Sequence, residues 1–185
     1  VNNHFVRPFV PTQTQVIKEA SEVNAMLLRK GIVTTILCDD QYDYSNGVGF
    51  VWNSKCRNLW IIEHDIIPPL SVIEELEKCP YFICAPLYFT SGAHSGLESP
   101  VIPHRIYSTE DQRKLTWISP AIEWADKIGL GCVKFRDLIR NAVDYELFSD
   151  CSWRMFDSKL SEAIIVTLGP KMFHIHNIWV EHKQK

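Results

Sequence analysis

Read only for hydrophobic and polar positions, the chain alternates short continuous apolar runs with amphipathic stretches. Residues 5–11 (FVRPFVP) read as a strand, and the prolines place it at a sheet edge or a strand exit. Between 12 and 30, Val16, Ala20, Val23 and Leu27 recur at three- and four-residue spacing. That spacing predicts a helix, capped by Thr12 or Thr14 and ended by Gly31. Residues 32–38 (IVTTILC) predict a β-branched strand that stops on Asp39-Asp40. A polar, Gly-bearing stretch (QYDYSNGVG) leads into a short helix or irregular segment up to Asn58. The apolar run LWII then ends on Glu63-His64-Asp65, and Pro68-Pro69 start a helix over 70–78.

The second half opens with another strand over 81–89 (YFICAPLYF). Residues 90–116 are polar and rich in Gly, Ser, His and Pro, a length of loop that is usually functional or disordered. A helical patch with Trp117 and Trp124 follows, then a GLGC turn at 129–132 and a short strand VKF. Helices are predicted around 136–143 and over 152–168, and a strand over 173–182 (FHIHNIWVEH) closes the chain. Continuous apolar strands separated by helices predict an α/β fold, a mostly parallel central sheet flanked by helices on both faces in a Rossmann-like arrangement. At 185 residues a single domain over 1–185 is the expectation.

Composition changes this picture little. The chain is 46% hydrophobic and 22% charged, ordinary for a globular protein. A net charge of -3 supplies no global basic field for holding nucleic acid by its phosphates. No apolar stretch reaches the roughly 18 residues that span a bilayer, and the N-terminal residues lack a signal-peptide layout. Six cysteines (Cys38, Cys56, Cys79, Cys84, Cys132 and Cys151) form no CxxC pair, and three of them sit in apolar runs. They read as reduced, buried thiols of a cytoplasmic protein, not as a disulfide frame or a zinc site.

The candidate chemistry gathers at strand ends, where open α/β sheets bind their ligands. Three ends carry it: Pro11-Thr12, Asp39-Asp40 and Glu63-His64-Asp65. Side chains alternate along a strand, so Glu63 and Asp65 share a face while His64 points away. Two carboxylates on one face suit Mg²⁺ or Mn²⁺, which can bridge phosphates. His174 and His176 repeat the two-residue spacing on the last strand, either as metal ligands or as an ordinary half-exposed pair. Trp117, Trp124 and Trp153 offer stacking faces for a sugar or base, or plain packing. Asp157 is a solvated helix position or a general base reaching into a cleft.

In order along the chain, FVPTQ, ILCDDQYD, WNSKCRNLWIIEHDIIPPLSVIEEL, GLGCVKFRDLI, FDSKLSEAI and FHIHNIWVEH resemble the motifs of GT-A nucleotide-sugar glycosyltransferases, family 2-like branch. Glu63-His64-Asp65 falls at that family's DxD motif, with Glu in place of the first Asp, and the resemblance runs from Val10 to His182. It implies a nucleotide-sugar-binding half over about 1–90 and an acceptor-binding half over about 91–185. It further implies a transferase that uses a nucleoside diphosphate sugar, a UDP-sugar being favoured, with Mn²⁺ or Mg²⁺. Pro11 and Thr12 would line the nucleotide pocket, Asp39 would meet the base with Asp40 nearby, and Glu63 would face the ribose or metal. Asp65 would hold the metal, with His176 or else His174 completing its shell. Gly129 and Gly131 would allow close backbone approach to donor or acceptor. Asp157 would be the base of an inverting transfer, although Phe156 stands where an acidic neighbour is usual. Trp117, Trp124 and Trp153 are assigned to the acceptor.

Two rival readings remain. One is a nucleotidyltransferase on a related fold, against which stands the lack of a Gly-rich, Lys/Arg-bearing phosphate loop near the N-terminus. The other is a non-catalytic sugar-nucleotide-binding module. The acceptor stays open among glycan, small molecule, protein and modified nucleic acid. The modest basic set His104, Arg105, Arg113 and Lys114 bears on the last of these.

Overall fold

The structure is a computed structural model that describes residues 2–9, 17–88, 124–125 and 128–183. Its strands are β1 (Asn3–Phe9), β2 (Ile32–Leu37), β3 (Asn58–Ile62), β4 (Ile66–Ile67), β5 (Ile83–Tyr88), β6 (Trp124–Ala125), β7 (Cys132–Arg136) and β8 (Phe173–His182). The helices are α1 (Ile17–Leu28), α2 (Asp43–Trp52), α3 (Leu70–Lys78), α4 (Asp137–Ala142) and α5 (Trp153–Leu168). All eight strands join one sheet in the order β2-β1-β3-β7-β5-β8-β4, with β6 added to β8. Strands β1, β2, β3, β5 and β8 share one direction, and β7 runs against its neighbours β3 and β5.

Both faces of the sheet are covered, which is why β3 and β5 are buried at every position and read as unbroken apolar runs. One core packs Val48, Trp52, Ile139, Phe156, Leu160 and Ile164 from α2, α4 and α5 against the sheet. The other packs Val23, Leu27, Val72, Ile73 and Leu76 from α1 and α3 against the opposite face. The expected α/β class, with helices on both faces, is the observed one.

Several local expectations change. β1 is an inner strand, flanked by β2 and β3, and Pro8 sits near its exit, where a missing N–H matters least. The Gly-bearing stretch after Asp40 is part of α2. Its glycines serve packing: a Cβ on Gly47 would lie 2.5 Å from Ile36 Cδ1, and one on Gly49 would lie 1.8 Å from the Tyr145 ring. Trp124 belongs to a strand, not a helical patch, and pairs with His174 of β8. Strand β3 ends at Ile62, so Glu63 lies beyond it and His64-Asp65 form a turn closed by Ile66 N–H donating to the Glu63 carbonyl at 3.1 Å. Cys79 and Cys84 are joined sulfur to sulfur, whereas Cys38, Cys56, Cys132 and Cys151 are free. The sequence expectation did not foresee that these two sulfurs meet, which happens because the helix end at Cys79 and the strand start at Cys84 fold toward each other.

Candidate functional site

The chain goes from β1 through α1 to β2 on one side of β1, then through α2 to β3 on its other side. That reversal opens a crevice at the carboxyl ends of the parallel strands, the usual ligand position in open α/β sheets. Glu63 follows β3, Tyr88 ends β5, and Gly129 to Gly131 lead into the antiparallel β7 at this same end. Asp157 reaches the group from α5, where a backbone hydrogen bond from Leu130 holds its carboxylate.

Within this cluster the Tyr44 hydroxyl donates to Glu63 Oε1 at 3.0 Å, and Gly131 N–H donates to the Tyr88 hydroxyl oxygen at 3.0 Å. Burial pushes both phenols well above their ordinary range, and the carboxylates of Glu63 and Asp157 add to the effect. Both tyrosines therefore stay neutral donors at physiological pH. Burial also lifts the half-buried Asp157 carboxyl from 3.8 to about 6, against the pull of the Leu130 N–H. A Cβ added at Gly129 would come within 2.5 Å of the Tyr88 hydroxyl, and one at Gly131 within 2.6 Å of its Cζ. The space that the two glycines leave is occupied by Tyr88.

Arg7 explains how Glu63 and Asp65 coexist at the turn. It is a nearly fully buried guanidinium that donates through Nη1 to the Ile62 and Glu63 carbonyls at 3.1 and 3.0 Å, and through Nη2 to the His64 carbonyl at 3.4 Å. Burial lowers its pKa to about 10, while Cys132, Asp65 and Glu63 favour its charge. A basic neighbour thus offsets the two carboxylates. Asp65 is only 9% exposed, and its carbonyl accepts from Lys183 N–H at 2.8 Å. His64 turns toward the Pro8 carbonyl, 3.2 Å from Nδ1, and packs against Phe9.

Other sequence candidates lie elsewhere. Asp39 and Asp40 are exposed after β2, where Asp40 Oδ1 accepts from Tyr42 N–H at 2.9 Å. Trp153, 46% exposed, opens α5 one turn before Asp157 and so shares its helix face. His174 and His176 are not brought to Asp65. They sit at the start of β8, opposite Cys84 and Ala85, whereas Asp65 meets the far end of that strand, where Ile66 pairs with His182. Six to eight residues at about 3.3 Å each separate the two ends by some 20–26 Å. Trp124 lies with the histidines, its ring 5.0 Å from that of His174. Pro11, Thr12 and Trp117 lie outside the described residues.

Arg7, Tyr44 and Tyr88 were missed by the sequence reading. Only Arg7 carried a signal, a lone charge inside an apolar strand. Oxygen donors such as Glu63 and Asp65 fit a hard divalent cation, and such ions often take one or two carboxylates and complete their shell with substrate phosphates and water.

No family model matches the chain, and no curated protein matches it. Among solved structures, A197 from STIV aligns at TM-score 0.66 and 9% identity, over 100% of this chain and 87% of that one. The inositol-1-phosphate CTP transferase from T. maritima aligns at 0.50 and 9%, over 99% and 89%. A glycosyltransferase involved in glycosylation of the major capsid of PBCV-1 aligns at 0.49 and 9%, over 98% and 92%. The first two show a shared fold. Among the described residues, no helix is long and apolar enough to cross a membrane.

Proposed function

We propose that the chain is a glycosyltransferase that takes a sugar from a nucleoside diphosphate sugar and places it on an acceptor hydroxyl with inversion. The observation that carries this reading is the convergence of Glu63, Tyr44, Tyr88 and a pKa-raised Asp157 at the carboxyl edge of the sheet. A general base works best when its pKa lies near the operating pH, and about 6 leaves Asp157 mostly ionised at neutrality yet more basic than an ordinary aspartate. In this reading its carboxylate takes the acceptor proton as the acceptor oxygen bonds to the anomeric carbon. The bond from that carbon to the diphosphate oxygen breaks, and the diphosphate leaves with the electron pair.

Asp65 and Glu63 would hold Mn²⁺ or Mg²⁺. Once bound, the ion supplies positive charge to the departing diphosphate. Tyr44 orients Glu63, and Arg7 keeps the turn bearing both carboxylates in one shape. Trp153, exposed one turn from Asp157, would stack on acceptor or donor in this reading. Of the late histidines, His182 is the one that strand register sets beside the Asp65 turn.

Titrating purified protein with UDP-, GDP- and TDP-sugars in the presence of Mn²⁺ tests the reading. Binding of at least one donor is expected, lost on chelation and in Asp65→Ala. Absence of binding to all three, or unchanged metal-dependent binding in Asp65→Ala, refutes it.

A further inference from the structure

At the opposite end of the sheet, Cys79, Cys84, His174 and His176 gather with one ligand atom from each lying within 4.8 Å of all the others. From this geometry we propose a structural zinc site of the Cys₂His₂ type, distinct from the carboxylate edge and independent of the glycosyltransferase reading.

Each ligand arrives from a rigid element. Cys79 caps the C-terminus of α3, Cys84 is the second residue of β5, and it pairs in register with His174 of β8. His174 and His176 are two apart on one strand, so both imidazoles fall on the same face. The spacing Cys79-x₄-Cys84 lies within the range used by tetrahedral zinc sites. Cys79 Sγ is already 3.9 Å from His174 Nδ1. With Zn–S about 2.3 Å and Zn–N about 2.0–2.1 Å, a tetrahedral site has sulfur–nitrogen edges of about 3.6 Å. Small side-chain movements therefore close the set on one ion.

The second observation concerns His176. Its Nδ1 lies 3.9 Å from Glu75 Oε1, while its Nε2 is buried with no hydrogen-bond partner among the described residues. A buried ring nitrogen without a partner is costly. A carboxylate behind one ring nitrogen and a metal on the other is a common way to orient a ligating histidine. Aromatic rings flank the cluster: those of Tyr81 and Trp124 lie 4.2 and 5.0 Å from that of His174. Four protein ligands with no open position mark a structural rather than a catalytic ion.

Charge is consistent as well. Zn²⁺ with two thiolates and two neutral imidazoles is neutral, and loading the form in which both cysteines are free thiols releases two protons with no redox change. The neighbouring Lys134, buried and donating to the Leu76 and Cys79 carbonyls at 2.5 and 3.1 Å, is therefore not repelled. The structure joins the two sulfurs directly. The Cα atoms are 7.0 Å apart, however, at the upper limit of the roughly 4.4–6.8 Å usual for a disulfide. Thiolate and imidazole donors in this geometry select Zn²⁺ over Mg²⁺ or Mn²⁺.

The test is metal analysis of protein purified without chelator, together with thiol counting in denaturant plus chelator and without reductant. One zinc per chain and all six cysteines titrating are expected. Cys84→Ser and His176→Ala should lose zinc at least tenfold, whereas Cys38→Ser should keep it. Should those variants fail to fold, exchange of Co²⁺ into the native chain decides the question, because thiolate-to-cobalt charge transfer with tetrahedral ligand-field bands reports the same donors. Four titratable thiols with no zinc, zinc that survives both ligand substitutions, or cobalt without a thiolate signature would each overturn the proposal.

Discussion

Replacing Asp157 with asparagine should make the protein less active and more stable, and the stability gain should depend on pH. The carboxyl is raised from 3.8 to about 6 by burial, so ionising it in the folded state is harder than in the unfolded chain. For a carboxyl raised in this way, its contribution to stability is fully present below pH 3.8 and is lost as pH rises through about 6. At 1.36 kcal/mol per pH unit, the ionised group costs the fold up to about 3 kcal/mol. Partial exposure reduces this to about 1–3 kcal/mol. Asparagine keeps an oxygen for the Leu130 N–H but carries no charge, so Asp157→Asn should gain that amount above pH 7 and roughly half of it at pH 5. For a chain of this length the gain is about 2–10 °C in melting temperature. With Asp157 as the proposed base, the same substitution should reduce turnover about 10²–10⁴-fold. Thermal and urea denaturation of both proteins from pH 5 to 8 measures the first effect, and donor turnover the second. A variant that is destabilised at pH 8, or whose advantage is the same at pH 5 and 8, would refute the burial argument whatever the activity.

Further perturbations report on other parts of the site. Arg7→Met should cost about 3–5 kcal/mol in urea denaturation, because three carbonyls lose their donor and two carboxylates lose their offsetting charge; a loss under 1 kcal/mol would show that the turn holds itself. Tyr88→Phe leaves the buried Gly131 N–H without its acceptor and should cost about 1–3 kcal/mol. Gly131→Ala should cost a similar amount by forcing a methyl onto the Tyr88 ring; wild-type stability in both variants would disprove the contact. In calorimetric titration with Mn²⁺ and a donor, His176→Ala should leave binding within about twofold in protein that remains folded, because β8 register keeps His176 away from the Asp65 turn. A loss of tenfold or more would mean that strand register does not keep this histidine out of the carboxylate edge.

The extent of individual elements was legible where one periodicity held without interruption. The helix over 70–78 and the strand over 173–182 match α3 and β8 end for end. Apolar runs marked the buried strands because a sheet covered on both faces admits no polar alternation. The α2 helix was not legible: Gly47 and Gly49 read as loop residues, and only their packing against Ile36 and Tyr145 shows why glycine is needed there.

The candidate site divides along the same line. Local chemistry by itself identified Glu63, Asp65, Asp157 and the His174/His176 pair as groups able to ligate or take protons, since residue type and spacing carry that information. Which of them meet was decided by strand order and register alone. Alternation along β8 puts His174 and His176 on one face but says nothing about which end of the strand faces Asp65. Pairing with β5 and β4 sends the two histidines to Cys79 and Cys84, and the far end of the strand to Asp65. In the same way, Arg7, Tyr44 and Tyr88 become part of the carboxylate edge only through contacts between residues far apart in the chain. Periodicity reports how each element meets the core, whereas a site is made of side chains from several elements, and their meeting is a property of the assembled sheet.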